Sequence, residues 1–105
     1  MEKIKITIPK EKIFDFCQRW KIAELSLFGS VLREDFHANS DVDVLISFAP
    51  ETRYGLFDLV DMEDELKNLF GRDVDMVEKE AIIQSENYIR RKNILENTEV
   101  IYAAG

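Results

Sequence analysis

The stretch Ser40-Asp41-Val42-Asp43-Val44-Leu45-Ile46-Ser47-Phe48 decides the fold class. Val42, Val44, Leu45, Ile46 and Phe48 make it apolar enough for a central strand covered on both sides, the habit of strands in α/β sheets. Strand side chains alternate, so Asp41 and Asp43 point to one side and Val42 and Val44 to the other. Outward from this strand the hydrophobic period keeps switching, which reads as alternating strands and helices. Upstream, Leu25 to Phe28 reads as a strand ending at Gly29. Downstream, Leu56, Leu59, Val60, Leu66, Leu69 and Phe70 mark a helix, and Gly71 stands where a left-handed residue closes it. Asp73 to Val77 follows as a short strand.

The ends of the chain continue the pattern. Lys3 to Ile8 alternates with period two, as a half-exposed strand does. Pro9 sits where a helix can start, because its missing N–H is unpaired there in any case. Ile13, Phe14, Cys17 and Trp20 then form an apolar helical stripe. Ser85 to Leu95 is expected as a third helix with Ser85 as its N-cap, and Val100 to Tyr102 as a last short strand. The expectation is an α/β fold: a small mixed sheet of four to five strands with helices mostly on one face.

Length and charge bound what such a chain does. At 105 residues, against a prior of about 150 per domain, residues 1–105 are expected to form one domain with one core. A second lobe for any acceptor would then come from a partner or a second copy. Lys and Arg number 14 against 21 Asp and Glu, for a net charge of −7. That sign makes direct nucleic-acid binding and docking on anionic lipid unfavourable. One cysteine, Cys17, excludes an internal disulfide and a Cys-based zinc site, and suits the reducing cytoplasm. No apolar run approaches the roughly 18 residues that span a bilayer.

Three features carry chemistry. Gly29-Ser30 follows a strand directly. Glycine lets backbone approach a phosphate closely, and a helical turn after it would add free N–H groups. Asp41 and Asp43 enter the central strand side by side. Two such carboxylates repel, and a hard divalent cation, Mg²⁺, relieves them with help from waters and substrate phosphates. Asp75 is flanked by Val74 and Met76, and faces that pair if its strand is the neighbour. Asp73 competes for this role, but lies nearer the turn at Gly71-Arg72.

Together, Gly29-Ser30-x-x-Arg33, Ser40-Asp41-x-Asp43 with its apolar strand, and the later Asp75 resemble the DNA-polymerase-β-like nucleotidyltransferases. More narrowly, they are similar to the minimal nucleotidyltransferase (MNT) branch. The resemblance implies that Gly29, Ser30, Arg33 and Ser40 bind the nucleotide. It implies that Asp41, Asp43 and Asp75 are catalytic and hold two Mg²⁺ ions, about 3.5–4 Å apart in such sites. It further implies an antitoxin that moves AMP from ATP to a tyrosine of a HEPN-domain ribonuclease toxin, releasing pyrophosphate. A basic toxin would be attracted to the −7 charge. One departure is Glu34, where the branch commonly has glycine; with Asp35 it adds negative charge near the phosphates. The alternatives are an antitoxin acting by contact alone and a small-molecule nucleotidyltransferase.

Other conspicuous residues have blander readings. His37 reads as a solvated loop histidine. Arg90-Arg91-Lys92 reads as a solvated helix face that could also touch nucleotide phosphates or the partner. Asp58, Asp61, Glu63, Asp64 and Glu65 form an exposed acidic face. Phe14, Phe16 and Trp20 belong to the core or a helix edge, and Cys17 to the core.

Overall fold

The central strand forms over Val42–Phe48, here β2. In the computed structural model, which describes residues 6–33, 36 and 40–104, it sits inside a four-stranded sheet. The remaining elements are α1 (Lys10–Arg19), β1 (Ile22–Phe28), a 3₁₀ turn (Gly29–Leu32), α2 (Leu56–Phe70), β3 (Val74–Glu78), α3 (Lys79–Ile83), α4 (Tyr88–Glu96) and β4 (Thr98–Ala103). The strand order is β3-β2-β1-β4. β1 runs antiparallel to β2 and β4, and β2 runs parallel to β3. The sheet is therefore mixed, and the crossover from β2 to β3 is made by α2.

The two faces of the sheet are covered differently. Leu25, Leu27, Val42, Val44 and Ile46 are buried in one cluster with Ile13, Phe16 and Cys17 of α1 and Met62 and Leu66 of α2. On the opposite face Phe28 and Leu45 are buried with Ile82 of α3 and Ile94 of α4. The two longer helices thus share one face, and two short ones cover part of the other. Burial pushes the Cys17 thiol up to about 12, which makes it a packing group and not a nucleophile.

Several boundaries differ from the sequence reading. Lys3 to Lys5 lie outside the described residues. Ile6 to Ile8 form no strand; Ile6 and Ile8 rest on the main core instead. In α1 the buried stripe is Ile13, Phe16 and Cys17, while Phe14 is 56% exposed and meets Tyr102 edge-on. In α2 the buried residues are Met62 and Leu66, and Leu56 and Val60 stay exposed. The expected Ser85–Leu95 helix forms as α4 but starts later, at Tyr88, and its cap is Asn87; a separate short helix, α3, precedes Ser85. The Ser85 hydroxyl accepts the Asn87 N–H, which closes a turn, and the Asn87 side chain then accepts the Arg90 N–H. Gly71 closes α2 at φ 69°, as its position suggested.

One polar clamp ties the first two helices together. Glu65 on α2 accepts two bonds from the Arg19 guanidinium, at 3.1 and 2.6 Å, and one from the Trp20 indole N–H at 3.1 Å. The Arg19 bonds are the largest reason that the Glu65 carboxyl lies below its ordinary range. A depressed acid stabilises the fold above its unfolded pKa, and that contribution fades as pH falls through the folded value. Replacing Glu65 by Gln is therefore expected to lower the unfolding midpoint at pH 7 and to flatten the acid limb of stability against pH, read by thermal melts between pH 7 and pH 3.

Gly29 fixes the exit from β1. Its φ is +75°, and a Cβ there would overlap the Asp43 carboxylate on the neighbouring strand. Both facts demand glycine. Gly29→Ala is expected to cost about 1–2 kcal/mol from the left-handed backbone alone, measured by urea unfolding, and also to displace the Asp43 side chain.

Candidate active site

The β2–β3 register brings the acids together. Parallel pairing sets Asp43 opposite Asp75, and antiparallel pairing sets Phe28 opposite Asp43. Phe28 in turn pairs with Thr98. Asp75, Asp43, Phe28 and Thr98 thus form one row across all four strands, on the face that α3 and α4 cover only in part. Neighbouring strands lie about 4.8 Å apart, so the row runs from an acidic end to an uncharged end over roughly 14 Å.

A cleft of about 1040 Å³ opens over this row. Gly29, Leu32, Arg33, Asp43 and Asp75 line one part of it, and Ile89, Arg90, Asn93 and Asn97 line another. Asp43 is half-buried and Asp75 is exposed. The Asp43 carboxyl is pushed up, first by desolvation and then by the charges of Asp75 and Asp41. Arg33 and the Ser30 backbone N–H oppose that rise. Asp43 thus lies among two like charges and one cation, with its burial as the larger cost.

Other anticipated residues lie to the side. Asp41 precedes β2 and is exposed. It is near enough to raise Asp43, yet it lines a separate, shallower pocket of about 670 Å³ with Ser40, Arg72 and Asp73. The Ser40 carbonyl accepts a bond from the Arg72 guanidinium at 3.3 Å. Asp73 lies outside β3, and its carbonyl accepts the Val42 N–H at 2.9 Å. Asp75 is therefore the carboxylate that the register sets beside Asp43. Ser30 reaches Asp43 through its backbone. Glu34, Asp35 and His37 lie outside the described residues.

Among the described residues no three of His, Cys, Asp and Glu are gathered into a ready-made cation site. The arrangement is a two-carboxylate centre with a third acid nearby. That donor set suits Mg²⁺, which takes one or two carboxylates and completes its shell with waters and substrate phosphates. Gly29 provides a stretch of backbone without a side chain beside those oxygens.

The sequence marks Arg90 of the α4 wall as a basic residue, and it gives Ile89, Asn93 and Asn97 no comparable mark. The available signal was spacing: Arg90, Asn93 and Asn97 recur at i, i+3 and i+7 beside Ile94, which anchors the helix.

Comparison with known proteins places this geometry in a family. Residues 10–101 match the nucleotidyltransferase domain. The protein adenylyltransferase MntA of Thermococcus cleftensis is 34% identical over 65 residues, 62% of this chain and 64% of that protein. A Methanocaldococcus jannaschii protein, provisionally named a protein adenylyltransferase, is 32% identical over 73 residues, 70% of this chain and 76% of that one. The match thus spans slightly under two thirds of MntA. A toxin–antitoxin crystal structure with AMP-PNP shares the fold at a TM-score of 0.68 and 18% identity, covering 92% of this chain and 75% of that chain. So does the complex of an MNT antitoxin with a tri-AMPylated Shewanella oneidensis HEPN toxin, at a TM-score of 0.59 and 18% identity, covering 90% and 70%. With the domain match covering nearly the whole chain and the paired acids standing beside Gly29, the chain belongs to the nucleotidyltransferase domain family.

Proposed function

We propose that the chain is a nucleotidyltransferase antitoxin that transfers AMP from ATP to a tyrosine hydroxyl of a HEPN-domain ribonuclease toxin in the cytoplasm. The observation that carries this reading is the pairing of Asp43 with Asp75 beside Gly29 in an open cleft. The similarity to a protein adenylyltransferase supports the reaction. The shared fold of MNT–HEPN complexes supports the partner.

Each residue of the site has a task in this reading. Asp41, Asp43 and Asp75 would hold two Mg²⁺ ions, which supply neutralising charge for the triphosphate and acidify the attacking hydroxyl. Gly29 leaves its backbone open to the β- and γ-phosphates, and Ser30 and Arg33 add donors. Ser40 would hold the entrance to β2, where Arg72 grips its carbonyl. Asp75 is exposed and faces the cleft, so a carboxylate oxygen there can receive the tyrosine proton. A tyrosine, with a pKa of about 10, needs such an acceptor near neutral pH. The phenolate oxygen then bonds to the α-phosphorus, and the bond to pyrophosphate breaks.

The test is intact mass spectrometry of the protein encoded by the neighbouring gene. It is incubated with the chain, Mg²⁺ and the four ribonucleoside triphosphates. The expected result is a mass gain of one or more AMP units, slowed at least about 100-fold by Asp43→Ala. A complex that forms with no mass gain would instead establish neutralisation by contact.

A further inference from the structure

The row Asp75–Asp43–Phe28–Thr98 gives the cleft a direction. Its β3–β2 end is acidic and suits metal-bound phosphates. Its β1–β4 end carries a single acid, Glu96 at the end of α4, beside Asn97 and Thr98. A nucleotide whose metal-bound phosphates sit at the paired acids would extend its nucleoside over Phe28 toward Thr98, away from the acid pair. The wall beside that end is α4, which follows α3 on the β2–β3 side and ends next to Thr98.

The residues that α4 presents differ along its length. Arg90, toward its start, is one of two cations lining the cleft among the described residues, with Arg33. Ile89 lines the cleft while 70% exposed, an apolar surface with no occupant among the described residues. Asn93, one turn further on, is exposed and lines the same cleft. Its backbone carbonyl takes the Asn97 side-chain N–H at 2.8 Å, which commits the Asn97 amide N–H to the helix end. The Asn93 carboxamide makes no hydrogen bond among the described residues. Asparagine is a weak helix former, so its place in mid-helix is not explained by α4 itself.

A carboxamide offers one donor and one acceptor side by side. That matches the N6 donor and N7 acceptor of adenine, whereas on the same edge guanine offers two acceptors, N7 and O6, and cytosine its N4 donor. We propose that Asn93 is the specificity-determining residue of the cleft, pairing with the base edge of the nucleoside triphosphate and selecting adenine. Arg90, one turn before Asn93 toward the start of α4, faces the phosphates. This rests on the nucleotidyltransferase reading and adds to it the residue that chooses the nucleotide.

The experiment is calorimetric titration of the whole chain, with Mg²⁺, by the α,β-methylene analogues of ATP, GTP, CTP and UTP. The parent chain is expected to bind the ATP analogue about 5- to 150-fold more tightly than the GTP analogue, the range for one bidentate base contact. Asn93→Leu and Asn93→Ala are both expected to erase that preference by weakening the ATP analogue alone. Asn93 is exposed, so the fold should survive, and melting curves of both variants check this. A preference that persists in the variants, or an equal loss for all four analogues, overturns the proposal. Binding of no analogue by the parent chain overturns the nucleotidyltransferase reading itself, and this proposal with it.

Discussion

Two carboxylates on neighbouring strands repel, and the pairing of Asp43 with Asp75 holds them side by side against that repulsion. The strain is visible in Asp43, whose carboxyl is raised by desolvation and by both acidic neighbours. The sheet tolerates it because β2 is otherwise anchored by Val42, Val44, Leu45 and Ile46, all buried. Hydrophobic burial on the other residues of the strand offsets the cost of the acids. The charge of the paired acids is what a divalent cation and its phosphates would neutralise. Gly29 belongs to the same constraint, because any side chain there would occupy the space of the Asp43 carboxylate.

The rest of the fold serves this pair. α2 makes the crossover that lets β3 run parallel to β2, which is what brings Asp75 to the level of Asp43. The clamp of Glu65 on Arg19 and Trp20 ties α2 to the end of α1. On the opposite face, α3 and α4 pack Ile82 and Ile94 on Phe28 and Leu45. They stop short of the acids and leave the cleft open above them.

The parts of this arrangement visible in the sequence were those set by short-range chemistry. The apolar run of β2 ends at charged and Pro-containing flanks, so its bounds were readable. α2 was readable because Gly71 terminates it. The paired acids followed from period-two alternation and one assumption about neighbouring strands. The reading failed where local pattern has two physical meanings. Ile6 and Ile8 alternate like a strand, but two apolar side chains lying on a core look the same. Ser85 resembles a helix cap, but one turn of helix before it and Asn87 after it divide the segment, and a single turn leaves no period to detect. The α4 wall was hidden for a different reason. Asn93 and Arg90 meet Gly29 and Asp43 across the cleft because of strand order, which no local pattern records. Asp41, prominent in the motif, sits exposed at the strand entrance, near enough to raise Asp43.

The central claim is that the paired acids form a cation site completed by a triphosphate. It is tested most directly by titrating Mn²⁺ into the whole chain, with and without α,β-methylene ATP, and reading free Mn²⁺ by electron paramagnetic resonance against the same nucleotide without protein. The account predicts binding that tightens with the nucleotide and is lost in both Asp43→Asn and Asp75→Asn. Binding of the same strength in the parent chain and both variants would contradict it.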